Sequence, residues 1–450
     1  MSCAAIPQTT EQISNAQCDV LVIGGGPAGS AISALLAVEG WHVELIEKDH
    51  HPRFHIGESL LPHSLPLLKH LGVLSQVEKI GIAKYGAQIV SPYDGRSRTL
   101  YFSRALDGSQ PYAFEVKRAE FDQILIKNCA AKGVRVSEGV RATHIDFRAG
   151  QRTLVHAEDL QGRRLQWKAR FVVDASGRDT FLSGYKGAKT RDSSHNSAAI
   201  FGHFEGVTRL PGIDAGNISI VWFDHGWWWI IPFKDGTASV GAVCWPYYIK
   251  SRQTDMEKFL WDTVALCPPV ADRLRHARLI TPVHAAANYS YRRTTMSGNG
   301  YLLVGDAFAF IDPVFSSGVH LALNSAMFGA KVVDAALRDA PEYTGLVREF
   351  EWTVRKGINT YSWFIRRFTQ PAFRSLFMSS GSVLKMEEAV LSILAGDAFG
   401  KSPTRVPIFF FKVVYYLVYL FNFKENWQAQ RNRARGKATR VTEVNDYAVK

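Results

Sequence analysis

The stretch Cys18 to Gly29, CDVLVIGGGPAG, constrains this chain more than any other. A short apolar run rich in β-branched residues, Cys18–Ile23, meets glycines at once, which predicts a buried parallel strand ending in a tight turn. Ala28–Val38 then has helical composition, Gly40 ends it, and Trp41–Ile46 reads as the next strand. A βαβ unit of this kind opens a doubly wound sheet. The turn has the spacing GxGxxG. Gly24 permits the turn, Gly26 lets the backbone approach a pyrophosphate, and Gly29 allows close packing of helix on strand. Pro27 and Ala28 stand at the start of the helix, whose N-terminus offers unpaired N–H groups and partial positive charge to phosphates. Glu47 follows the second strand, where a carboxylate can accept hydrogen bonds from a ribose diol.

Two further strand-like runs, Phe171–Val173 and Tyr301–Val304, also end in small or acidic residues. Between them, Asn217–Val243 is rich in aromatic and β-branched residues, with turn signals at Asp224–Gly226 and Lys234–Gly236, and reads as an antiparallel sheet. After Leu337 the chain reads as mostly helical. Residues 1–17 lack the basic start and apolar run of a signal peptide and are expected to form a loose leader.

The five cysteines are scattered and form no CxxC pair, which argues against a disulfide framework or a structural zinc site and for a reducing cytoplasm. No metal ligands are assigned. The net charge of +12 concentrates at the end: residues 401–450 hold ten Lys or Arg against three acids. Such a segment is a solvated tail, or it meets an anionic membrane or an acidic protein. No nucleic-acid motif accompanies it. Val406–Phe423 is the most apolar stretch, interrupted by Pro407 and Lys412. It falls short of a spanning helix and is expected to be a buried C-terminal helix, with an interfacial helix backed by basic residues as the rival; residues 406–440 are then the candidate peripheral membrane contact.

Four segments carry a wider resemblance: Arg53…Gly57-Glu58-Ser59-Leu60-Leu61-Pro62, Val116 to Asp122 (VKRAEFD), Asp174-Ala175-Ser176-Gly177, and Gly305-Asp306-Ala307. Together they resemble the FAD-dependent hydroxylase, halogenase and geranylgeranyl reductase superfamily. That resemblance implies an α/β fold: a doubly wound, Rossmann-like FAD-binding domain (18–185 plus 290–336) with an inserted antiparallel substrate domain (186–289). Substrate-domain strands would lie near 86–115, and residues 337–450 would form a helical C-terminal region. It also implies that Arg118 and Asp306 contact the flavin's phosphate or ribityl portion, with Arg53, Ser59, Asp174, Gly305, Pro313 and Gly318 in the same cofactor site.

Two motifs narrow the resemblance. Gly226–Phe233 reads GWWWIIPF and contains W-x-W-x-I-P as Trp227, Trp229, Ile231 and Pro232; Phe310–Gly318 contains F-x-x-P-x-x-S-x-G. Both are similar to flavin-dependent halogenases. Reduced flavin and oxygen generate an oxidant that would hydroxylate any ring allowed to touch it, so a wall of stiff indoles separates organic substrate from flavin while halide passes. Alternation puts Trp227 and Trp229 on one strand face and Trp228 on the other. Ser316, Ser317 and Gly318 are the candidate halide site. The same serines could equally act as helix caps.

The family carries a lysine after the GES motif, and Lys84 in Ile82–Ala87 (IAKYGA) matches the version in phenol- and pyrrole-type members. It would act as a neutral amine or as a charged donor to hypohalous acid; the sequence leaves both open. Free-tryptophan members place a glutamate where Phe315 stands, which points away from free tryptophan. The expected reaction is FADH2-dependent halogenation of an electron-rich aromatic with chloride or bromide. A separate flavin reductase would supply the FADH2, and the acceptor is free or held on an acyl carrier protein. The alternatives are an aromatic monooxygenase or geranylgeranyl-reductase-like enzyme, and a non-catalytic flavoprotein of a membrane-associated complex.

Overall fold

The computed structural model describes residues 14–147, 151–379, 383–399, 403–424, 426–428 and 431. Its first layer is built as the GxGxxG turn requires. The strand Ser14–Ile23 lies parallel between Val43–Glu47 and Arg164–Asp174, and Tyr301–Leu303 extends the sheet beyond the latter. Val20, Leu21 and Val22 are wholly buried, as are Val172 and Val173 opposite them, so the centre of the sheet is branched aliphatic on both faces. The first strand begins earlier than expected. Ser14–Gln17 pair with Leu165–Lys168 and belong to the sheet rather than to a loose leader; residues 1–13 lie outside the described residues.

A nine-stranded sheet forms the second layer, mostly antiparallel. Its central neighbours run Lys189–Glu205, Ala238–Cys244, Gly226–Pro232, Ile218–Phe223 and Gly86–Ser91. The three strands expected within 217–243 are there, turning at the two sites marked by glycine. The tryptophan strand Gly226–Pro232 is buried on both faces. Trp227, Trp229 and Ile231 belong to the apolar cluster shared with the first layer, whereas Trp228 and Ile230 belong to a second cluster under the helices of residues 246–274. The period-two reading therefore holds: one strand serves two cores.

Past Ser317–Leu337 the chain is helical, with Tyr343–Ile365 the longest element. The helix Arg405–Phe421 departs from the expectation of burial. Only Phe411 and Tyr415 are buried along it, while Val406, Phe409, Leu417, Leu420 and Phe421 are all at least 50% exposed. Pro407 sits in its first turn, where a missing N–H is tolerated. No helix among the described residues is long and apolar enough to cross a membrane.

Candidate functional site

The site begins at the carboxyl ends of the parallel strands, where doubly wound sheets bind their ligands. Gly24 has φ +108°, and a Cβ there would lie 2.4 Å from the Ala175 carbonyl oxygen. A Cβ on Gly29 would lie 1.9 Å from the Gly24 carbonyl oxygen, so both glycines are demanded by close approach. Gly26 differs. It caps the helix Pro27–Val38, and the nearest atom to a Cβ placed on it is Arg53 Nη2 at 3.9 Å. The backbone over that helix start faces open space, a cradle of the kind a pyrophosphate occupies.

Glu47 is buried, and both carboxylate oxygens are engaged. Oε2 accepts from the Gly25 N–H at 2.6 Å and Oε1 from the Asp49 N–H at 3.0 Å. The carboxylate thus clips the glycine turn to the end of the second strand, in addition to any ribose contact. Arg53 lies beside this clip, 3.9 Å from Glu47 and 3.6 Å from Asp122, and its buried Nε makes no hydrogen bond. Arg118 pairs twice with Asp122, at 2.8 and 3.0 Å, and donates to the Ile56 carbonyl at 2.9 Å. Arg53 reaches the open space over the helix start, and Arg118 stands behind it across their shared partner Asp122. This donor set fits the two phosphates of FAD.

Gly305 and Asp306 form a tight turn directly after Tyr301–Leu303. Burial lifts the Asp306 carboxyl to about 6, against the pull of Arg178 and Arg118. Asp174 is placed differently. It is wholly buried, accepting from Ser176 at N and Oγ and from the Leu182 N–H, so both oxygens hold the loop after its own strand.

Lys84 ends the short strand Ile82–Lys84, antiparallel to Ala113–Glu115. Its side chain is almost wholly buried, and Nζ donates to Ser59 Oγ at 2.6 Å. The GES segment is tied to the same strand, with Leu60 N–H donating to the Phe114 carbonyl and Val116 N–H to the Glu58 carbonyl. Ser59 and Lys84, 25 residues apart, are thus in direct contact.

Asn217 connects this node to the tryptophans. Its Oδ1 accepts from the N–H groups of Tyr85 and Gly86 at 2.7 and 2.9 Å. The strand Gly86–Ser91 then pairs with Ile218–Phe223, which pairs with the tryptophan strand, Ile220 opposite Trp229. Two strand spacings amount to about 10 Å. A second route runs through rings: Trp229 packs on Phe201 (5.7 Å between centroids), Phe201 on Phe54 (6.1 Å) and Phe54 on His203 (5.5 Å). His203 in turn bonds Glu58 of the GES segment at 2.7 Å. Trp227 tilts against Trp229 at 6.0 Å, Ile231 is buried, and Pro232 ends the strand opposite Ala238.

The helix Ser317–Leu337 supplies the remaining wall. Pro313–Phe315 forms one tight turn capped by Asp312, and Ser316 enters the helix at φ +54° without a side-chain capping bond. Ser317 Oγ is buried with no hydrogen-bond partner among the described residues, and a Cβ on Gly318 would meet nothing within 4 Å. Simple capping by the serines is therefore not what the structure has. Phe315 packs edge-on against Phe368 (5.4 Å) and Phe364 (6.5 Å), and Phe368 also contacts Trp222 (5.2 Å).

The family model described as tryptophan halogenase matches residues 19–88 and 81–374. The chain belongs to that family. It is a flavin-dependent halogenase with FAD as its cofactor, as the motifs predicted, rather than a hydroxylase, a reductase or a non-catalytic flavoprotein. The halogenase is 30% identical to the 1H-pyrrole-2-carbonyl-[peptidyl-carrier protein] chlorinase of Pseudomonas fluorescens, over 85% of this chain and 89% of that one. It is 32% identical to flavin-dependent halogenase gsfI of Penicillium aethiopicum, over 89% and 76%. Among solved structures it is similar to the myxobacterial chondrochloren halogenase CndH, with TM-score 0.74 and 31% identity over 86% of this chain and 99% of that one.

Sequence reasoning missed several members of the halogenase's site. Asn217, His203 and Glu115 each reach it from a distant segment. Asn217 begins a run read only as strands, His203 lies in the inserted antiparallel domain, and Glu115 directly precedes a matched motif, so only the pairing of strands reveals them.

Proposed function

We propose that this halogenase converts chloride or bromide to hypohalous acid and delivers the halogen to an electron-rich aromatic ring of phenol or pyrrole type, in secondary-metabolite biosynthesis. The acceptor is carried on a carrier protein, and a separate flavin reductase supplies FADH2. The observation that carries the acceptor class is Phe315, held in a cage of Phe364, Phe368 and, through Phe368, Trp222. Position 315 carries no carboxylate to assist an indole, and one placed there would be buried among rings at a desolvation cost of several kcal/mol. The name of the pyrrole-carrier chlorinase adds support.

Each residue has a part that its surroundings fit. Gly24–Gly29, Arg53 and Arg118 would hold the pyrophosphate, and Asp306 the ribityl chain. When bound, reduced flavin supplies, with oxygen, the two electrons' worth of oxidising power that halide oxidation needs. The free Ser317 hydroxyl and the amides at Gly318 would receive halide at the positive end of a long helix. Trp227 and Trp229 exclude the acceptor ring, and Lys84 receives the hypohalous acid.

Mass spectrometry of products tests this reading, with chemically reduced FAD, either halide, and phenols, pyrroles, carrier-linked acyl pyrroles and free tryptophan as acceptors. Halogenated phenol or pyrrole is expected, most from the carrier-linked form. A clear preference for tryptophan, or hydroxylated product alone, overturns it.

The exposed helix Arg405–Phe421 supports a second element of the proposal, peripheral contact with an anionic membrane surface. Its outward face is apolar, and the positively charged sequence continues past it; most of residues 425–450 lie outside the described residues. An amphipathic helix of this kind seats its apolar face in the headgroup boundary and draws strength from basic neighbours. The full chain is expected to sediment with phosphatidylglycerol vesicles at low salt, and Leu420→Glu to reduce that binding at least several-fold. Absence of vesicle binding, or binding indifferent to Leu420→Glu, rejects the contact; a shift to dimer on dilution-sensitive sizing would assign the face to a second copy instead.

A further inference from the structure

Glu115 has no part in the reading above, yet it stands against the reacting lysine. In the register of the two short strands Lys84 faces Ala113 and Ile82 faces Glu115. Residues two apart share a face, so Lys84 and Glu115 are diagonal neighbours on the same side. Lys84 Nζ lies 3.7 Å from Glu115 Oε1, and both side chains are at most 2% exposed. Ser59 and Lys84 stand near the Glu115 oxygens, yet neither oxygen accepts a well-formed hydrogen bond among the described residues. A fully buried carboxylate left this way is uncommon and costly.

We propose that Glu115 is the proton acceptor that positions Lys84 for halogen transfer, making the neutral amine its working form. This rests on the role given to Lys84 above. An ammonium has no lone pair and cannot take up halogen. Passing one proton to Glu115 frees the nitrogen. The nitrogen then attacks the halogen of hypohalous acid: the N–X bond forms as the O–X bond breaks, and the departing hydroxide leaves as water with one N–H proton. The haloamine next gives its halogen to a ring carbon, whose proton returns to the nitrogen. No further oxidant is needed beyond the hypohalous acid.

The surroundings suit such an exchange. Burial pushes Lys84 down and raises Glu115 to about 7, each partly opposed by the other's charge. A pair whose affinities converge shares its proton readily and titrates as a unit. The other groups facing the pair are Ser59, which accepts from Lys84, the Phe102 ring 5.6 Å from Nζ, and Glu58, itself bonded to His203. His284, stacked on Phe54, feels the charges of His203 and Glu58. Below about pH 7 Glu115 holds a proton of its own and can accept none, so activity should fall on the acid side with a midpoint near 7.

The test compares Glu115→Gln, Glu115→Asp and Lys84→Ala in the full chain, each checked for flavin affinity. Glu115→Gln should lower the single-turnover halogenation rate at pH 7 by roughly 10²-fold or more, with acceptor affinity unchanged and the acid limb near 7 gone. Glu115→Asp should recover part of the rate and keep the limb. A readout without flavin is the titration of Lys84 itself, followed by NMR after ¹³C reductive methylation and assigned by its absence in Lys84→Ala. Wild-type Lys84 should show a step near 7 as it titrates together with Glu115, and Glu115→Gln should remove that step. Wild-type rate and limb in Glu115→Gln, or an Asp variant no better than Gln, overturns the proposal; if Gln does not fold, an unshifted limb in Asp does so. Full activity in Lys84→Ala would instead strike down the lysine's role.

Discussion

Lys84→Ala should leave FAD bound and remove the halogenated product, by roughly 10²–10⁴-fold in rate. Two features separate these outcomes. Among the described residues Lys84 makes no hydrogen bond or ion pair with the glycine turn, Arg53 or Arg118; its partners are Ser59, Glu115 and the Phe102 ring. Removing it should also be tolerated by the fold, because Glu115, already lifted to about 7, can take a proton once its cationic neighbour is gone. Lys84→Arg sharpens the result. Arginine keeps a charge and hydrogen-bond donors but cannot become neutral. An inactive Lys84→Arg favours halogen carried on nitrogen; an active one favours a charged donor orienting hypohalous acid. Halogenation persisting in Lys84→Ala, measured as isotope-patterned product in single turnover, removes the lysine from the reaction.

Trp229→Ala should have the second large effect, on stability and on product identity together. The indole is buried, donates to Ser239 Oγ at 3.1 Å, and packs on Phe201 and Trp227. Truncating such a side chain costs about 3–5 kcal/mol, seen as a lower denaturant midpoint. It also opens the partition, so part of the acceptor should emerge hydroxylated. Gly241→Ala approaches the same place more gently. Gly241 lies opposite Trp229, and a Cβ there would come within 2.3 Å of the indole and 2.4 Å of Phe201 Cβ, forcing the ring aside. Both variants should shift the ratio of halogenated to hydroxylated product in the same direction. An unchanged ratio in folded protein would mean these rings hold the sheet together without guarding the flavin.

Local patterns carried much of the architecture. Glycine spacing located the cofactor turn because each glycine answers a short-range need, and period-two alternation assigned the three tryptophans to faces because a strand allows no other arrangement. What stayed hidden depended on contacts between distant segments. Glu115 meets Lys84 only through the register of two three-residue strands, and Asn217 clips Tyr85 across 132 positions. Glu47 and Asp174 were read as facing a ligand, but backbone amides claim oxygens on both, since a strand-end carboxylate serves its own turn as readily. The helix Arg405–Phe421 shows the limit of composition: apolar content says that a surface avoids water and not which partner covers it.

The Phe315 cage links the two ends of the halogenase. One ring just ahead of the halide-side helix leans on Phe364 and Phe368, at and beyond the end of the long C-terminal helix, close to where the family match ends at residue 374. Changes around Phe364 and Phe368 can therefore move Phe315 from behind without touching the glycine turn, Arg53 or Arg118.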